Sequence, residues 1–131
     1  MAELSKLDFT ALAALAAQSA DINIPCACSA VKLQGWISVP LSLDENLLQD
    51  IATLLEDPYA DPTFTEFHSA GTRYDSADAP IAPRYFPYNR CNVAQCKNCA
   101  RHYLRYTEAG GYFVDRRIRL LSARLLVDAP L

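Results

Sequence analysis

Only two histidines, His68 and His102, occur in the 131 residues of this chain. A catalytic zinc site built on several imidazoles is therefore excluded. Long apolar runs are lacking as well. No stretch approaches the roughly 20 residues that a bilayer-spanning helix needs. The N-terminus, Met1-Ala-Glu-Leu-Ser-Lys-Leu-Asp8, has no basic segment leading into an unbroken apolar one, so no secretory signal is expected. Also absent are a Walker loop, G-x-G-x-x-G, G-x-S-x-G and H-E-x-x-H, which removes the sequence signatures of phosphate-cradling, nucleophile-elbow and zincin enzymes. There is no internal repeat and no low-complexity tract. A cytoplasmic protein with no membrane association follows by default.

Against these absences, five cysteines stand out. Three lie in Cys91-Asn-Val-Ala-Gln-Cys96-Lys-Asn-Cys99, a C-x4-C-x2-C cluster, and two form the upstream C-x-C pair Cys26 and Cys28. In a reducing compartment clustered thiols favour metal over disulfides, and an odd number cannot all pair within one chain. Two thiols spaced C-x2-C can clamp one ion, because the intervening turn directs both sulfurs inward; zinc then needs two further ligands. The competing explanation is five reduced, partly buried thiols, since free cysteine is among the most buried residue types. That alternative weighs most on Cys26 and Cys28, because C-x-C alone is a weak signal.

The segment Cys96-Lys-Asn-Cys99-Ala100-Arg101, followed at once by strand-forming residues, resembles the zinc knuckle of zinc-ribbon and treble-clef modules. Those knuckles usually carry glycine where Ala100 stands. The resemblance spans about ten residues and the hairpin after them, and it implies a local structural zinc site. The chain as a whole resembles short bacterial proteins, a resemblance that brings no activity with it. No cysteine or histidine follows residue 102, so the remaining ligands must come from upstream or from His102 itself. Cys91 is the nearest candidate. Cys28 or Cys26 is expected next, then His102, then His68. The same C-x4-C-x2-C spacing occurs in plant-type ferredoxins, which need a fourth cysteine well downstream, and none is present. A thiol-dependent enzyme needs a base beside its sulfur, and no orienting Asp, Asn or Glu falls at a recognisable position near Cys99 and His102.

A hydrophobic content of 51% gives one domain of this length enough apolar material for a core, and a charged content of 21% argues against disorder. The charge is unevenly placed. Residues 1–89 hold four basic against twelve acidic side chains, whereas residues 90–131 hold eight basic against three acidic. Arg101, Arg105, Arg116, Arg117 and Arg119, with Tyr103, Tyr106, Tyr112 and Phe113, have the composition of a ribbon that binds single-stranded nucleic acid. The overall pI near 5.2 favours the alternative, in which these arginines pair with acids such as Asp44, Glu45, Asp50 and Glu56, or serve a protein partner.

The expected fold is one α+β domain, with two N-terminal helices and a small antiparallel sheet carrying a metal-knuckle β-hairpin. Residues 1–56 are predicted as helix–strand–helix. The first helix covers 3–19, the strand Val31 to Val39, and the second helix follows a capping box at Ser42 and Glu45, with an apolar stripe of Leu47, Leu48, Ile51, Leu54 and Leu55. Residues 57–90, rich in proline and aromatics, are predicted as an ordered irregular segment with a short strand near Thr63–His68. Residues 91–131 hold the knuckle and a hairpin, His102–Thr107 returning from Tyr112 across Glu108-Ala-Gly-Gly111. The tail from Arg116 suits helix or strand. The function expected is a small zinc-stabilised protein-interaction module without catalysis. The first rival is a nucleic-acid-binding zinc-ribbon-like domain, and the second is a thiol-dependent enzyme.

Overall fold

The structure is a computed structural model that describes residues 4–30, 33–57, 59, 61–109 and 114–131. One α-helix, α1 (Phe9–Ala20), packs on a five-stranded antiparallel sheet. The strands are β1 (Ile37–Ser38), β2 (Leu48–Thr53), β3 (Asn92–Cys96), β4 (His102–Ala109) and β5 (Val114–Leu120), in the spatial order β1-β5-β4-β3-β2. Among the described residues no helix is long and apolar enough to cross a membrane.

Helix α1 starts later than its leucine spacing predicts, at Asp8, whose carboxylate accepts the Ala11 N–H at 2.8 Å and so satisfies a free donor of the first turn. The residues before it have another task. Thr53 N–H donates to Ser5 O and Leu7 N–H to Thr53 O, both at 3.0 Å, so residues 5–7 cover the open edge of β2. The helix buries Leu12 and Ala16 against the sheet.

The second helix does not form. Glu45–Leu47 make a short 3-10 turn capped by Asp44 rather than Ser42, and Leu48–Thr53 continue as β2. The leucine stripe misleads because a bulge imitates helical spacing. Asp50 pairs with Ala94 and Ala52 with Val93, so Ile51 is an extra residue. Leu48 therefore packs into one core, and Ala52 and Leu54 into the other.

Both faces of the sheet are covered. One core gathers α1, Trp36, Ile81, Tyr88, Cys91, Val93, Leu104, Tyr106 and Leu121; the second gathers Cys28, Leu33, Leu43, Leu48, Ala94, Cys96, Cys99, Tyr103 and Ile118. The expected strand from Val31 reduces to Ile37–Ser38, with Val31 and Lys32 outside the described residues. Gly35 is fixed by space: a Cβ there would lie 2.5 Å from the Asp75 carbonyl oxygen.

Residues 61–90 are irregular and held by side chains, and Thr63–His68 form no strand. Trp36 stacks on Tyr74 and meets Tyr106 edge-on, and Arg90 lies over the rings of Phe64 and Phe86. Arg119, fully buried on β5, clamps the segment from beneath. Its guanidinium donates to Tyr88 Oη at 2.8 Å, Gln34 O at 3.0 Å, Ala79 O at 3.4 Å and Ala77 O at 3.5 Å.

Strands β4 and β5 pair from Tyr103↔Leu120 to Ala109↔Val114. The expected turn glycines, Gly110 and Gly111, and the start of the return strand at Tyr112 lie outside the described residues. The ambiguous tail is strand to Leu120, then a 3-10 turn at Ala123–Leu125. Of the hairpin arginines, Arg105 pairs with Asp50 at 2.8 Å and Arg116 with Glu45. Arg117 turns instead to Glu108 and Asp115 on its own hairpin, at 3.0 Å each.

Candidate metal centre

Two chain segments meet on the second face of the sheet. The upstream one is the tight turn at Cys26, whose carbonyl accepts the N–H groups of Ser29 and Ala30 at 3.1 Å each. This turn carries Cys28 inward on the following 3-10 residues, Ala27–Ala30. The downstream one is the turn between β3 and β4. Cys96 closes β3, Ala100 N–H donates back to Cys96 O at 2.9 Å, and Cys96 N–H donates to Arg101 O at 2.8 Å.

These two turns bring Cys26, Cys28, Cys96 and Cys99 together, with all four Sγ atoms within 4.8 Å of one another. Two pairs of sulfurs meet across the segments: Cys26 and Cys96 at 3.7 Å, and Cys28 and Cys99 at 3.5 Å. A tetrahedron of Zn–S bonds of about 2.3 Å has edges of about 3.8 Å. Four such thiols can hold a metal ion. Cys28, Cys96 and Cys99 are buried, and Cys26 is partly exposed.

Polar groups reach three of the sulfurs. Asn98 Nδ2 donates to Cys26 at 3.3 Å, Arg101 Nη1 to Cys99 at 3.4 Å and Tyr103 Oη to Cys28 at 3.1 Å. The backbone N–H of Cys28, with the Asn98 amide, pulls the Cys26 thiol down to about 6. Burial pushes the Cys28 thiol up. Four thiolates around a divalent ion would leave two negative charges, and the Arg101 guanidinium would offset part of that excess. Its other nitrogen donates to Ile22 O at 3.2 Å, which anchors the upstream segment as well. Arg101 and Tyr103, whose composition suits a surface for nucleic acid, both point at sulfur. Adjacency to Cys99 was the signal that could have found them.

Cys91, expected beside Cys96 and Cys99, is not in the group. Cys96 lies five positions further on along an extended chain. Side chains alternate between faces, so an odd separation puts the two sulfurs on opposite sides of the sheet. Cys91 lies fully buried in the helix-side core, its Sγ donating to Pro87 O at 3.1 Å, and burial raises its pKa well above the usual thiol value. Neither histidine joins the thiols. His102 is buried on the helix side, where burial lowers its pKa and keeps the ring neutral. His68 bonds to Thr72 and Glu66 in the irregular segment, at 2.8 and 2.7 Å.

Two surface clefts, of about 460 and 390 Å3, are lined by no cysteine and no histidine. Comparison with known proteins finds no matching family, no matching curated protein and no matching solved structure.

Ala100 follows the second cysteine with φ at +70°, the left-handed region that Cβ disfavours. Glycine is free there, although it loses more chain entropy on folding. Ala100→Gly is expected to stabilise the protein by about 0.5–1 kcal/mol, a rise of a few degrees in Tm. Melting curves of the two proteins at matched metal content check this, and a lower Tm for the glycine variant contradicts it.

Proposed function

We propose that this protein is a small zinc-stabilised module of a reducing compartment, without catalysis, whose role is to bind a protein partner. One observation carries the zinc reading: four sulfurs from two distant segments meet at separations close to the edges of a zinc–thiolate tetrahedron. A set of four thiolates closes the coordination sphere and leaves no position for substrate, which is the pattern of a structural site. The knuckle-like turn at 96–100, with its left-handed residue after the second cysteine, supports the same reading. The clefts lie away from the thiols, which speaks against a thiol-dependent enzyme. The pairing of Arg105, Arg116 and Arg117 with carboxylates of the same chain speaks against a nucleic-acid surface built on those arginines.

Elemental analysis of the full chain, purified without chelator, tests the zinc reading. About one zinc per chain is expected. Iron in the same shell would appear as strong visible absorption and would replace zinc in the proposal. A folded, metal-free chain with all five thiols titratable overturns it.

A further inference from the structure

We infer that the four-cysteine site is also a site of reversible oxidation, in which Cys26 reacts first and forms a disulfide with Cys96 across the two segments. The inference rests on the metal reading only for its release step. The sulfurs themselves carry the rest.

Three features point to this order. Cys26 is the one member of the group with partial exposure, so a small oxidant reaches it before the buried Cys28, Cys96 and Cys99. Its sulfur makes a cross-segment contact with Cys96 at 3.7 Å, and Cys28 and Cys99 make a second such contact at 3.5 Å. Closing either pair to the disulfide length of about 2.05 Å asks for side-chain movement of under about 2 Å. Both disulfides would join the upstream turn to the knuckle, the same connection that the metal makes. Oxidation thus exchanges one cross-link for another.

The oxidant is hydrogen peroxide, and the chemistry balances. The Cys26 thiolate attacks one peroxide oxygen and the O–O bond breaks. The sulfur is oxidised to sulfenic acid, and the other oxygen leaves as hydroxide. Cys96 sulfur then attacks the sulfenic sulfur, the S–S bond forms, and the S–O bond breaks as hydroxide departs. The two hydroxides take up protons, so that two thiols and one peroxide yield one disulfide and two waters. Loss of two thiolate ligands releases the metal. A second peroxide converts Cys28 and Cys99 in the same way.

The experiment treats the purified full chain with rising equivalents of hydrogen peroxide, traps remaining thiols by alkylation and maps disulfides by peptide mass spectrometry. A chromophoric chelator reports released zinc in parallel. The expected result is Cys26–Cys96 as the main disulfide at one equivalent, with zinc appearing at the same rate. Cys28–Cys99 then follows at two equivalents, with Cys91 still reduced. Cys91→Ser should respond as the parent does, and a thiol reductant with added zinc should restore the starting protein. Oxidation of Cys91 as early as Cys26, disulfides within a segment (Cys26–Cys28 or Cys96–Cys99), or four unreactive thiols would overturn the inference. If the cross-segment disulfides form in a chain that was metal-free from the start, the zinc reading fails and the oxidation site stands. If zinc is bound and the thiols resist, the reverse holds.

Discussion

Replacing Cys28, Cys96 or Cys99 by serine is expected to lower Tm by on the order of 10 °C or more, whereas Cys91→Ser should cost only a few degrees. Metal affinity at a preformed four-thiolate site is folding free energy, and removing one ligand forfeits much of it, at least about 3 kcal/mol. Cys91 contributes packing and one bond to Pro87 O, and a serine hydroxyl in its place can still donate to that oxygen. A strong chelator sharpens the distinction. It should bring the parent down toward the ligand variants and shrink their difference, because all then lack the ion. The deficit of Cys91→Ser should persist, since it never involved the metal. Melting curves of the parent and four variants, with and without chelator, give the answer. Equal losses at Cys91 and Cys96, both insensitive to chelator, would mean that the cluster is four packed thiols.

Arg119→Met is expected to be the most damaging change outside the metal site, at about 2–4 kcal/mol. Two effects compete. Burying a guanidinium is costly, and replacing a buried charge with an apolar side chain of similar volume is sometimes neutral or stabilising. Here the partners decide. Arg119 donates to three backbone carbonyls, at Gln34, Ala77 and Ala79, and to the Tyr88 hydroxyl, and no carboxylate pairs with it among the described residues. Of these acceptors the Ala79 carbonyl and the Tyr88 hydroxyl belong to buried residues, and methionine leaves them without this donor, whereas the carbonyls of exposed Gln34 and Ala77 can turn to water. Arg119→Lys should recover less than half of the loss, because one ammonium cannot span acceptors placed around a planar fork. Chemical denaturation of the three proteins measures both differences. A methionine variant as stable as the parent would show that relief of desolvation outweighs the clamp.

The approach of Cys96 and Cys99 was readable because C-x2-C spacing is local: the turn that directs both inward lies within the motif. The first strand of the hairpin after it was readable from the strand formers of 102–107, although the strand runs on through Glu108 and Ala109, which the sequence assigns to the turn. Cys91 could not be placed without knowing that 92–96 is a strand. Once that is known, parity alone separates it from Cys96. The second helix failed on a similar point. Leu47, Leu48, Ile51, Leu54 and Leu55 satisfy a 3.6-residue period, and a strand with one bulged residue satisfies the same positions. Only the pairing with β3 separates the two. Burial of Arg119 was hidden from composition, since its acceptors are main-chain carbonyls of residues far away in sequence. The meeting of Cys26 and Cys28 with Cys96 and Cys99 was one option among several. It follows from packing of Ile22, Leu33, Leu43 and Tyr103 on one face of the sheet, a tertiary fact that spacing does not encode.

X-ray absorption at the metal edge of the natively purified protein reads the donor atoms themselves. Zinc surrounded by four sulfurs at about 2.3 Å, with no nitrogen or oxygen donor, is the expected result. The spectrum of Cys91→Ser should be unchanged. Three sulfurs with one lighter donor, a spectrum altered by Cys91→Ser, or no bound metal would contradict the four-sulfur zinc site.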